Sequence, residues 1–241
     1  MSKIHIVLQG KGGVGKSLVA SLIAQYKTAQ LDKVTCIDTD PVNATFASYK
    51  ELNVDTFKII ENDEINIRSF DALIERIAQT ENDIIIDNGA SSFVPLSNYI
   101  IQNGIADIIQ ELGHELIIHT IITGGQALSD TLNGFVSLVN QYPENCSFVV
   151  WLNPYWGAIE AEGKHFENMK AYTVNKEKVS AIIELPALKK ETFGRDFEDM
   201  LRDKKTFNEA INDESLTIMN RQRLKMLKMD IFKLITAASI I

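Results

Sequence analysis

The sequence predicts an α/β fold: a doubly wound, mostly parallel sheet with helices on both faces. Two observations carry that reading. Short runs rich in Ile and Val, several apolar at every position, alternate with stretches of helical spacing, as buried parallel strands and their crossover helices do. The first run also leads through a glycine-rich loop straight into a helical stretch. The expected strands are residues 4–8, 34–37, 57–60, 84–86, 116–122, 147–152 and 180–185. The expected helices are 16–30, 70–79 with Ser69 as its cap, 125–142 and 159–172. Each strand–helix–strand unit is expected to cross over right-handedly. No long linker, repeat or low-complexity tract breaks the pattern, so residues 1–241 are expected to form one domain.

From residue 189 onward the pattern is helical and charged. Residues 217–238 read as an amphipathic helix with its apolar stripe at Leu224, Leu227, Ile231, Leu234 and Ile235. The stretch 221–241 carries five basic residues and one Asp, a local charge of +4. The stripe is narrow enough to be taken up by the chain's own core. The alternative is a basic helix that docks on a membrane surface or a partner.

Hydrophobic residues make up 45% of the chain and charged residues 23%, ordinary globular values that exclude a disordered chain. The net charge of −8 argues against strong DNA binding, which needs clustered Lys and Arg. Cys36 and Cys146 lie far apart in apolar runs. Without a CxxC or Cys/His cluster, a structural zinc or iron–sulfur centre held within one chain is not expected. Both thiols are expected to be buried and free, as in a reducing cytoplasm. The opening MSKIHIVLQGKGG has no signal-peptide pattern, and no run approaches the ~20 apolar residues of a membrane span. A soluble cytoplasmic chain is expected, with peripheral membrane contact not favoured.

The segment Gly10-Lys11-Gly12-Gly13-Val14-Gly15-Lys16-Ser17 matches G-x-x-x-x-G-K-[ST] between an expected strand and an expected helix. Gly10, Gly12, Gly13 and Gly15 let the backbone turn tightly and bring its N–H groups, Val14 among them, onto phosphate oxygens. The helix N-terminus, with Leu18 in its first turn, adds its positive dipole end. Lys16 suits the β- and γ-phosphates, and the Ser17 hydroxyl suits Mg²⁺. The phosphates of a nucleotide and Mg²⁺ are therefore the expected ligands of the loop. Asp38 and Asp40, two apart, fall on one side of the chain at a strand end, where doubly wound sheets place their sites. Paired acids there suit a metal and an attacking water. Asp87 ends the run 84–86 and is followed by Gly89, a Walker B pattern. Asn153 and Pro186 end the two last strands.

The second lysine of the loop, Lys11, makes KGGVGKS resemble the deviant Walker A loop of the ParA/MinD group of P-loop ATPases. CIDTDPVNA is similar to that group's switch I pattern, D-x-D-P-x-x-N. The resemblance implies that Lys11 reaches across a dimer interface to the nucleotide of the other subunit, and that Asp40 orients the attacking water. It gives Asp38 and Asp87, with Ser17, to the Mg²⁺ shell. It gives Asn153 and Pro186 to the adenine. The run Asp87-Asn88-Gly89-Ala90-Ser91-Ser92 departs from the group's D-x-P-x-G segment. A narrower likeness, to conjugal transfer proteins encoded in plasmid transfer regions, is carried by KIHIVLQGKGGVGKS, CIDTDPVNATF, DNGASSFVPLS and WLNPYWG. It extends to TIMNRQRLK near the C-terminus.

Together these imply an ATP-binding, slowly hydrolysing dimerisation switch in plasmid conjugal transfer. It would be a homodimer with ATP sandwiched between subunits, read by a protein partner in a conjugation complex. The alternatives are a DNA-partition or membrane-positioning ATPase, and a constitutive nucleotide-binding subunit of a transfer complex. An iron–sulfur electron carrier fails on the positions of Cys36 and Cys146. A tyrosine autokinase fails because the last tyrosine is Tyr172. His119 reads as a core or strand-end histidine. Trp151, Tyr155 and Trp156 read as packing, with a partner-binding surface as the alternative. Thr123-Gly124-Gly125-Gln126 reads as a second loop near the site.

Overall fold

The computed structural model describes residues 2–40, 42–61 and 64–241, with only the backbone of Glu64. Pro41, which completes the expected switch I pattern, lies outside the described residues. The chain opens with β1 (Lys3–Val7), α1 (Lys16–Ala29), β2 (Val34–Asp38) and a two-residue strand β3 (Asp55–Thr56). A small hairpin of β4 (Ile60–Glu61) and β5 (Glu64–Ile65) precedes α2 (Arg68–Ala78) and β6 (Asp83–Asp87). Then come α3 (Phe93–Gln102), α4 (Ile105–Glu111), β7 (Glu115–Thr123), α5 (Leu128–Gln141) and β8 (Ser147–Asn153). A second hairpin, β9 (Glu160–Ala161) and β10 (Lys164–His165), leads to α6 (Lys170–Thr173) and β11 (Val179–Glu184). The chain ends in α7 (Arg195–Arg202), α8 (Phe207–Asn212) and α9 (Ile218–Ala238).

Seven strands form one sheet in the order β11-β8-β7-β1-β6-β2-β3, and every neighbouring pair is parallel. Strand alternation sends successive side chains to opposite faces, so a parallel strand covered on both sides must be apolar throughout. In β6, Ile84 and Ile86 enter one apolar cluster and Ile85 the other. In β7, Ile118 and Ile122 face one way, Ile117 and Ile121 the other. Helices α2 to α5 cover the first face. Helices α1, α7, α8 and α9 cover the second.

The fold is the one expected, with two local corrections. Residues 57–60 are not a sheet strand. Edge strand β3 pairs Asp55 and Thr56 with Ile37 and Asp38, and the ladder stops after Phe57 N–H donates to the Asp38 carbonyl at 2.8 Å. Phe57 and Ile59 mimic a strand because both pack into the core, but their backbone bonds go to different segments. Phe57 N–H donates to Asp38 and the Ile59 carbonyl accepts from Asn66 N–H at 2.8 Å, so no single strand forms. Residues 159–172 are not one helix. Glu162 (φ 52°) and Gly163 (φ 72°) are both left-handed, as in a tight two-residue hairpin turn. That turn joins β9 to β10, and α-helix begins only at Lys170, the first residue of the four-residue α6.

The stripe of α9 is consumed by the chain's own core. Leu224, Leu227, Ile231 and Ile235 are buried, and only Leu234 is exposed. Arg223 on the same helix pairs with Asp196 at 2.5 Å. Cys36 and Cys146 are buried and free, and burial pushes both thiols up to about 12.

Polar groups inside the sheet form a directed chain. Trp151 Nε1 donates to His119 Nδ1 at 3.0 Å, and His119 Nε2 meets His5 Nδ1 at 2.9 Å. A neutral His119 that accepts at Nδ1 must carry its proton on Nε2, so it donates to His5. His5 then carries its proton on Nε2, which has no partner. Burial lowers the pKa of both rings, His119 to about 3; His119, Lys27 and Lys3 add to the shift at His5, and Lys27 to that at His119. The folded state therefore keeps both rings neutral, while unfolded histidines take up protons near 6.5. Their contribution to stability is whole above that pH and falls as pH drops below it. Both imidazoles should show neutral-ring nitrogen shifts at pH 5 by NMR. Below pH 6 the wild type should lose about 2–3 kcal/mol more urea-unfolding stability per pH unit than a His5→Leu, His119→Leu double variant, a comparison that cancels the opposing contribution of the raised carboxyls. A ring that titrates near 6.5 in the folded protein would remove this account.

Candidate functional site

Register gathers the site. Val7 is paired with Asp87, and Asp87 with Asp38, so three strand ends stop at one level of the carboxyl edge. The glycine-rich loop leaves β1 at that level and enters α1. Gly15 caps this helix at φ 107°, a conformation open to glycine, and a Cβ there would lie 2.9 Å from Asn153 Nδ2. Gly12 and Gly13 are exposed with open space beside them, and Gly10 packs on the Phe93 ring. Val14 is buried in the apolar cluster under α1, and its carbonyl accepts from Asn153 Nδ2 at 2.9 Å.

Lys16 is only 8% exposed, and its ammonium donates to the Lys11 carbonyl at 3.0 Å. Among the described residues no carboxylate lies within ion-pair distance of it. Burial lowers its pKa, against the pull of Asp87 and Asp40. A buried ammonium held by one carbonyl has donors left for an anion. Lys11 points elsewhere: its ammonium pairs with Asp130 at 2.7 Å, with both side chains about half exposed.

The three acids differ. Asp38 is buried, and its two oxygens accept from Asp40 N–H and Ala47 N–H at 2.9 Å each. Burial raises its pKa despite those bonds. Asp38 thus braces the segment that carries Asp40. Asp40 is half-buried, and its Oδ1 accepts from Val42 and Asn43 N–H at 2.9 and 3.0 Å. A Cβ on Gly89 would lie 2.7 Å from the Asp40 carboxyl carbon, so this glycine makes room for Asp40. Asp87 is 1% exposed and its Oδ1 has no partner. Burial pushes its pKa up to about 7, the Ser17 hydroxyl and Lys16 pull it down, and Asp38 and Asp40 push it up.

This donor set fits Mg²⁺ with a nucleotide. An orphaned carboxylate oxygen beside a serine hydroxyl, raised by burial and by two neighbouring acids, calls for a cation. Among the described residues no group of three or more His, Cys, Asp or Glu could hold a metal alone. A divalent ion here would take most of its ligands from phosphate and water, as Mg²⁺ does. Beside the loop opens a cavity of about 560 Å³, lined by Gly15, Leu18, Asn153, Pro186, Trp156 and Phe197 among others. Leu18, Asn153 and Pro186 thus share one wall system with the loop.

Three residues of the site were not singled out from the sequence. Gln9 is buried and donates to the Ile121 and Thr131 carbonyls at 3.0 and 3.2 Å, fixing the loop's entry. Gly134 leaves the space for it, since a Cβ there would meet Gln9 Oε1 at 2.3 Å. Asn88 accepts from Thr39 and Ser92 hydroxyls at 3.2 and 2.8 Å, tying the ends of β2 and β6 together. Asp130 holds Lys11. A polar residue closing an apolar strand was the one signal for Gln9. For Asp130 there was none.

The chain matches the CobQ/CobB/MinD/ParA nucleotide binding domain over residues 5–218, and it belongs to that family. It is similar to two proteins named Protein TraL from Escherichia coli, each 61% identical over 241 residues and covering both chains completely. These are the relatives to which the four longer segments point. Among solved structures it is similar in fold to the MinD cell division protein of Aquifex aeolicus, with a TM-score of 0.53 and 16% identity over 94% of this chain and 97% of that one. The MinC:MinD cell division protein complex of the same organism gives a TM-score of 0.54 at 15% identity, over 94% and 96%.

Gln9→Met keeps the volume but takes the side-chain donor from the buried Ile121 carbonyl and the second donor from the Thr131 carbonyl, which lies within α5. Its urea-unfolding stability should fall by about 1–3 kcal/mol. A variant as stable as the wild type would end Gln9's role as the anchor of the loop.

Proposed function

We propose that the chain is an ATP-binding, slowly hydrolysing dimerisation switch of the ParA/MinD type that acts in plasmid conjugal transfer. The observation that carries this is the buried Lys16 ammonium, held by one carbonyl at the centre of the glycine loop, next to Asp87 and its unpartnered oxygen. Family membership supports the nucleotide. The full-length likeness to TraL supports the setting.

Each residue then has a task. The N–H groups of residues 12–17 and the start of α1 bind the phosphates, and Lys16 supplies charge to them. Ser17, Asp87 and Asp38 would hold Mg²⁺ and its water, and the two backbone bonds of Asp38 also position the segment of Asp40. Mg²⁺, when bound, neutralises charge that gathers on the phosphate oxygens. Asp40 orients the attacking water, its carboxylate fixed by two backbone N–H groups and admitted by Gly89. Asn153 and Pro186 border the cavity that takes the adenine. Lys11 completes the site of a second subunit. Its present bond to Asp130 is an exposed ion pair, worth about 0–1 kcal/mol, and does not trap it. The output is a state, read by a partner in a conjugation complex.

A membrane-positioning role has less support. The apolar stripe of α9 is buried against the chain's own core, and among the described residues no helix is long and apolar enough to cross a membrane. The net charge of −8 speaks against a partition ATPase that coats DNA.

Lys16→Ala should lose ATP binding by at least a hundredfold in calorimetry; wild-type affinity in that variant would refute the assignment of the loop. Asp40→Ala should bind ATP but release phosphate at least tenfold more slowly. Light scattering of this variant should show a dimer with Mg²⁺ and ATP and a monomer with ADP. A mass unmoved by nucleotide would leave the constitutive-subunit reading in its place.

A further inference from the structure

We propose that Trp156 is the base-recognising residue of the nucleotide site: its indole forms one wall of the cavity beside the loop and stacks on a purine. The inference rests on the reading that the loop binds a nucleotide, and it adds the group that selects the base. Trp156 is one of two tryptophans, and it is 57% exposed where Trp151 is fully buried. Its neighbour Tyr155 is 55% exposed and meets it edge-to-face, with centroids 4.9 Å apart. Both line the cavity, which runs from Gly13 and Gly15 to Pro186. Its volume of about 560 Å³ is within the range of small-molecule sites and large enough for a nucleoside.

The ring is held, and held by the loop. Its indole N–H donates to the Gly13 carbonyl at 3.3 Å. That is its single polar group, so what it offers a ligand is its π surface. The turn that carries it, Pro154–Trp156, is capped by Asn153 Oδ1, which accepts from Tyr155 N–H at 3.2 Å. The same Asn153 binds the Val14 carbonyl, so phosphate loop and aromatic turn share one clamp. Beneath the turn lie Gly124 and Gly125. A Cβ on Gly124 would come within 2.3 Å of the Gly157 carbonyl, and one on Gly125 within 2.7 Å of the Trp156 carbonyl. The loop Thr123-Gly124-Gly125 is therefore the seat of the turn, and glycine is required for the approach. A flat ring fixed in this way before binding loses little entropy on stacking. Larger aromatic area stacks better, so the class of ligand is a purine nucleoside triphosphate rather than a pyrimidine one.

The test measures ATP, CTP and inorganic tripolyphosphate binding by calorimetry to wild type, Trp156→Ala and Trp156→Phe. The expected result is ATP tighter than CTP in wild type. Trp156→Ala should then lose about 10- to 100-fold for ATP while tripolyphosphate binding stays within about twofold. Trp156→Phe keeps a ring and should bind ATP within about threefold of wild type. ATP, and not tripolyphosphate, should quench the tryptophan emission of wild type, and the quench should vanish in Trp156→Phe. Unchanged ATP affinity in Trp156→Ala overturns the proposal. So does an equal loss for ATP and tripolyphosphate, which would place the effect in the loop. If wild type binds neither ATP nor tripolyphosphate, the nucleotide reading itself fails.

Discussion

The site depends on one constraint, the register of three parallel strands. Val7, Asp87 and Asp38 are held at one level by the ladders of β1, β6 and β2. The ladder continues past the strands: Leu8 N–H donates to the His119 carbonyl at 2.8 Å, and Thr39 N–H to the Asp87 carbonyl at 2.9 Å. A slip by one residue would turn Asp87 to the opposite face and bring Ile86 to the loop. Isoleucine on both faces of β6 would not by itself prevent this. The strand ends do, where Asp83 accepts from Lys3 N–H and the Lys27 ammonium at 2.7 and 2.6 Å and Asn88 accepts from the Thr39 hydroxyl at 3.2 Å.

That register has an electrostatic consequence. It gathers Asp38, Asp40 and Asp87 at an edge that is largely dry. Asp38 is relieved by backbone N–H groups, and Asp40 by an N–H pair and by water. Asp87 is left with one bare oxygen. Lys16 is its mirror image, a buried cation with one carbonyl. Both groups keep unused bonding capacity, which the proposed metal and phosphate would take up. The surrounding polar groups, Gln9, Asn88 and Ser92, are satisfied and keep the arrangement from relaxing.

The same economy of apolar surface decides the role of α9. Its stripe of Leu and Ile has the spacing of a membrane-surface helix, yet those residues close the second face of the sheet together with α1, α7 and α8. Arg223 is drawn inward by Asp196. The basic character read from the segment is therefore partly used inside the fold.

The sequence alone determined the sheet and the loop, because both rest on local physics. Runs of Ile and Val with no polar face can only be strands buried on both sides, and a glycine loop between strand and helix has one common use. It also placed Lys16, Asp38, Asp40 and Asp87 at strand and loop ends. It misread 57–60 and 159–172, where apolar spacing reports burial rather than pairing, and where Glu162-Gly163 makes a turn without a common turn signal. Only the tertiary structure decided what each acid does. Asp38 faces backbone donors, Asp87 faces none, and Gly89 serves Asp40, because those partners come from segments up to 49 residues away in the chain. The pairing of Lys11 with Asp130 spans 119 residues, and the seating of Trp156 on Gly13 spans 143. Contacts over such distances are set by strand order and register, and no local spacing encodes them.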